Sequence, residues 1–117
     1  MQAEELKDRT KVFAHACVKL AAGLPLSGLG RILRGQRMRC STAVAANYRA
    51  ACLAQSRAAF TAKISVVLEE ADETAFWLEF IGEEDLVSQA SLDGLLAEAS
   101  ALTRIFDASR KTSSQSR

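Results

Sequence analysis

Apolar residues recur along this chain at spacings of three and four, the signature of amphipathic helices, and four such segments follow one another. The first runs from about Glu4 to Ala22, with Phe13, Ala16, Cys17, Leu20 and Leu24 on one side. It gives way to "GLPLSGLG", where Gly23 is a suitable C′ residue, Pro25 forbids continuation and Ser27 can cap the next helix. The second runs from about Leu29 to Ala54. The third takes Ser56 as N-cap, carries Phe60, Ile64, Val67, Leu68, Ala71, Ala75, Leu78 and Ile81 as a broad core stripe, and stops at Gly82. The fourth begins near Asp85 or Ser91 and repeats Leu92, Leu95, Leu96, Ala99, Leu102, Ile105 and Phe106. The β-branched run "ISVV" lacks the alternation of a half-buried strand. Helices joined by short breaks predict an all-α, antiparallel up-down four-helix bundle, one domain over residues 1–110, with a polar tail over 111–117 expected to be disordered.

Composition agrees with close-packed helices. The 117 residues are 49% apolar but only 6% aromatic, and alanine, the best helix former, dominates. No apolar run reaches the roughly 18 to 20 residues of a membrane helix, and "MQAEELKDRT" is charged, so no membrane contact and a cytoplasmic location are expected. Cys17, Cys40 and Cys52 are odd in number, lack metal-ligand spacing and sit in apolar helical surroundings; buried thiols are expected, with no metal and no other cofactor. The net charge of +1 conceals opposed halves: residues 1–63 hold 11 Lys/Arg against 3 Asp/Glu, and residues 64–117 hold 4 against 11. Such halves neutralise each other by packing together, within a subunit or between subunits.

The stretch "CSTAVAANYRAAC", Cys40 to Cys52, carries little bulk and one asparagine. On a helix Gln36, Cys40, Ala43, Asn47, Ala50 and Ala54 form a stripe that admits a neighbouring helix at short range. Buried there, Asn47 would need partners for its amide and would act as a register device; the other reading is that it faces water. Glu69, Glu70, Asp72 and Glu73 form an acidic patch within reach of Arg39, Arg49 and Arg57. A structural polar network of Gln36, Asn47, Arg49, Glu70, Asp72 and Glu73 is therefore expected. Paired carboxylates can also serve as acid and base, but there is no Glu-x-x-His, and the single histidine, His15, is remote in sequence; no catalytic residue and no enzymatic activity are expected. Phe76, Trp77 and Phe80 make the end of the third helix apolar over more than one face, which points to a subunit interface. Arg31, Arg34, Arg37 and Arg39 concentrate positive charge suited to nucleic-acid phosphates.

These residues carry a resemblance. Gln36, Arg39, Thr42, Val44, Ala46, Asn47, Tyr48 and Arg49, with Ser56, Phe60, Lys63, Glu70, Asp72, Glu73, Thr74, Trp77 and Leu78, match the pattern of the four-helix-bundle family of 23S rRNA intervening-sequence proteins; with Phe13, Leu24 and Pro25 the similarity takes in nearly all of residues 9–106. Ala50 stands where that family usually has Glu, and Cys40 where it has Ser, so this copy is less polar there. The resemblance implies a left-handed bundle that assembles as a ring, typically a homopentamer, without established enzymatic activity. A distantly similar pentameric bundle, the accessory protein of diversity-generating retroelements, binds nucleic acid and reverse transcriptase. Two functions are thus in view: a homo-oligomer that binds RNA or another nucleic acid, and a scaffold whose partner is another protein. Against the first stands a pI near 7.7, well below that of strongly basic nucleic-acid binders.

Overall fold

The computed structural model of the chain describes residues 1–26, 28–34 and 38–115. Among them there is no strand; five helices are present, α1 (Ala3–Ala22), α2 (Gly28–Ile32), α3 (Arg39–Ala51), α4 (Arg57–Glu83) and α5 (Gln89–Gln115). The four longer ones form an elongated bundle, 51 × 21 × 20 Å. Helix α4 packs most extensively against α5 and then α3, α1 packs against α3 and, more lightly, α5. The helices therefore stand at the corners of a square, with α1 and α4 diagonally opposed.

Every seam is antiparallel. Cys17 lies beside Cys40 while Glu4 lies beside Tyr48, so α1 and α3 run in opposite senses. The hydroxyls of Thr61 and Ser113 bond at 2.7 Å at one end of the α4/α5 seam, and Gly82 meets Leu92 at the other. Arg9 on α1 holds Glu98 on α5 through two hydrogen bonds of 2.6 and 2.8 Å. The core is a continuous column including Phe13, Cys17, Val44, Ile64, Leu78, Leu92, Leu102 and Phe106. Tyr48 crosses it to lie 5.5 Å from the Phe106 ring.

Three element boundaries differ from the sequence expectation, each for a local reason. The segment expected as one helix from Leu29 to Ala54 is interrupted: α2 ends at Ile32 and α3 starts at Arg39, with Leu33 and Met38 buried on either side of the break. The run "GLGRILRG" contains three glycines, each costing a helix about 1 kcal/mol relative to alanine. A Cβ on Gly30 would come within 2.5 Å of the Pro25 carbonyl oxygen, so the corner requires the missing side chain. Gly23 caps α1 with right-handed dihedrals (φ −86°, ψ −1°) and not the left-handed C′ geometry. The Ser27 cap lies outside the described residues.

Gly82, read as a stop, lies inside α4. A Cβ there would meet Leu92 Cδ1 at 2.7 Å, so this glycine permits the close approach of α5. The actual stop is Asp85, in the left-handed region at φ 56°. Asp85 N donates to Gly82 O at 3.1 Å and Leu86 N to Ile81 O at 3.2 Å, the bond pattern of a Schellman cap with aspartate in the seat glycine usually takes. Ser56 caps α4 as expected, its hydroxyl accepting from Ala59 N at 3.0 Å. At the other end of the chain α5 continues through Gln115, into the stretch expected as tail. Asp107 pairs with Arg110 at 2.8 Å and Lys111 at 3.0 Å, and Ser113 ties the last turns to α4.

Candidate functional site

Two surface concavities flank α3 and share Thr42 and Ala46. The first is a groove of about 700 Å³ between α1 and α3. Its floor is small, Ala14, Ala45 and Ala46; Lys11 and His15 rise from α1, Arg49 from α3, and Val18 adds exposed apolar surface. Glu4 and Asp8 line one end, where Lys7 binds Glu4 at 3.2 Å. Lys11, His15 and Arg49 are exposed, and no salt bridge engages them among the described residues.

The second, of about 550 Å³, lies over the α3/α4 seam, with Arg39, Cys40 and Ala43 facing Glu70 and Glu73. Burial raises the Glu70 carboxyl above its ordinary value of 4.5, and the crowding of Glu73 and Glu69 adds to this, while the Arg39 guanidinium opposes it. Burial also raises the Cys40 thiol, and pushes the Cys17 thiol beside it up to about 12. Thiols held protonated in this way are poor nucleophiles and poor metal ligands at neutral pH. Among the described residues no group of three or more His, Cys, Asp or Glu is placed to hold a metal ion.

Among the described residues, the polar network expected around Asn47 does not come together as a whole. Asn47 is half-buried, and its Nδ2 donates to Ala43 O at 2.9 Å, within its own helix. Arg49 lines the groove facing α1, away from the acidic patch, and Asp72 is exposed. Arg39, Glu70 and Glu73 do converge, though no salt bridge links Arg39, Arg49 or Arg57 to the patch among the described residues. Gln36 lies outside the described residues. The physical reason is rotational: at 100° per residue Arg49 cannot share the α4-facing side of α3 with Arg39 and Ala43.

The arginine cluster divides as well. Arg31 and Arg39 are exposed; Arg34 is half-buried and its Nη2 donates to Ala22 O at 3.0 Å, satisfying an orphan carbonyl at the end of α1. Arg37 lies outside the described residues. Of the three aromatics assigned to an interface, Phe76 is 51% exposed, whereas Trp77 and Phe80 are half-buried against the core. Phe76 stacks edge-on against Trp77 at 4.8 Å, and Trp77 against Phe80 at 5.6 Å. The α1/α3 groove itself was missed from sequence, although Lys7, Lys11 and His15 at intervals of four were its available signal.

No family profile and no curated protein matches this chain. Among solved structures, it is similar to a protein of unknown function of the S23 ribosomal protein family from Bacteroides thetaiotaomicron. The two share 28% identity over 90% of this chain and 97% of the other, with a TM-score of 0.80. At that level the likeness supports a related family and the helical-bundle architecture.

Proposed function

We propose that this chain is a non-enzymatic, homo-oligomeric bundle that binds structured RNA in an accessory role, as its resemblance to the 23S rRNA intervening-sequence proteins implies. The observation that carries the reading is exposed positive charge: Arg31 on α2 and Arg39 at the start of α3 stand exposed without a salt bridge to any carboxylate among the described residues, although Arg39 faces Glu70 and Glu73 across the α3/α4 seam. Long cations held in this way contact phosphates without reading base sequence, so binding is shape-directed and salt-dependent. The S23 family name of the structural neighbour agrees with a ribosomal RNA setting. Ring assembly into a pentamer belongs to the same proposal and would repeat the basic corner around an axis, multiplying weak contacts.

A second reading, a scaffold for another protein, is favoured by Phe76, whose ring is more exposed than a lone bundle requires. Fluorescence anisotropy with a generic RNA hairpin separates the two. The RNA reading expects binding at about 50 mM salt that weakens by orders of magnitude toward about 200 mM, and a shallower salt slope for the Arg31→Glu/Arg39→Glu variant. No binding at the lower salt overturns it in favour of the scaffold.

A further inference from the structure

The surface of α4 that faces away from the bundle is a stripe of one chemistry. Glu69, Asp72, Glu73, Phe76, Glu79 and Glu83 recur at spacings of three and four, all exposed. Among the described residues no salt bridge neutralises any of these five carboxylates. On the neighbouring side of the bundle the α1/α3 groove offers the complementary set: a floor of alanines low enough to admit a helix at close range, Lys11 and Arg49 on its rims, His15 beside them, and exposed Val18 (45%), with Glu4 and Asp8 confined to the end where Lys7 pairs with Glu4. One face supplies anions around an aromatic ring, and the other, beyond its acidic end at Glu4 and Asp8, supplies Lys11 and Arg49 around an apolar trough. Neither face is complementary to itself, since stripe against stripe would bring like charges together.

We propose that the α1/α3 groove receives the acidic, Phe76-centred face of α4 from a second copy of this chain. This deepens the homo-oligomer reading above and rests on it. Because donor and acceptor faces are different surfaces of one subunit, each copy keeps one of each to offer, and the contact is head-to-tail. Such a contact propagates around a closed ring when the rotation per subunit closes, and into a filament when it does not; it does not produce an isolated two-fold dimer.

Charge reversal tests the pairing, with mass in solution read by light scattering on the full chain without nucleic acid and with circular dichroism confirming that each variant is folded. Lys11→Glu/Arg49→Glu and, separately, Glu69→Lys/Glu73→Lys should each reduce the wild-type oligomer to monomer. The four substitutions combined in one chain should restore the wild-type mass, because the charges at these four positions are exchanged across the contact. If either two-site variant keeps the wild-type mass, or the combined variant remains monomeric, the assigned faces are wrong although the chain is still an oligomer. A monomeric wild type overturns the homo-oligomer reading itself.

Discussion

Glu70 is the carboxylate whose surroundings the fold changes most legibly. Burial, with Glu73 and Glu69 beside it, favours its protonated form, and Arg39 only partly offsets this. A carboxyl whose folded pKa lies above its unfolded value binds protons more readily in the native state, so its contribution favours folding at low pH and turns unfavourable as pH rises past the ordinary value of 4.5. Glu70→Gln is therefore expected to raise the thermal midpoint at neutral pH, with the gain vanishing below pH 4.5, measured by melts across the range. Asn47 works the other way. Its type suggested a buried register point, yet a half-buried amide that donates to its own helix has little to specify. The residue type was legible; which way the helix turned it was not.

At the level of elements, the long periodic helices were legible and their ends were less so. Ser56 was readable as a cap because its hydroxyl acts on its own chain three residues on. The α4 terminus was not, because the sequence offered Gly82 and the chain used Asp85. A non-glycine residue in the left-handed region costs about 1–2 kcal/mol, less for aspartate, whose short polar side chain tolerates it. Asp85→Gly should remove that strain and, after the larger chain entropy of glycine in the unfolded state, stabilise by about 0.5–1 kcal/mol in urea denaturation. A loss of stability would mean that the Asp85 side chain does more than occupy the turn. The corner between α1 and α2 follows a similar logic, since Gly30 is needed where Pro25 approaches.

The whole molecule is a square bundle with unequal seams. The α1/α5 edge is the lightest, and the forked Arg9 to Glu98 pair spans it. Replacing Arg9 with Ala should cost about 1 kcal/mol, more than an ordinary surface pair, because the guanidinium meets both carboxylate oxygens. A double-mutant cycle with Glu98→Ala isolates the coupling, and a coupling near zero would place closure of this edge on apolar packing alone. Charge is likewise organised globally: across the α3/α4 seam Arg39 faces Glu70 and Glu73 without a salt bridge among the described residues, while Arg9 and Glu98 join the basic first half to the acidic second half directly.

Periodicity by itself determined that the chain is helical and which residues of its principal helices enter the core, because a repeat of 3.6 residues fixes one face of each helix wherever that helix packs. It also marked the two charged halves, which are sums over the chain and need no geometry. Only the tertiary structure decided that Arg49 looks toward α1 and Arg39 toward α4, that Arg34 closes the end of α1, and that the acidic stripe and the alanine-floored groove occupy different sides of the bundle. Those facts depend on the rotation of each helix against its neighbours, and the energy that sets the rotation comes from packing between segments distant in sequence.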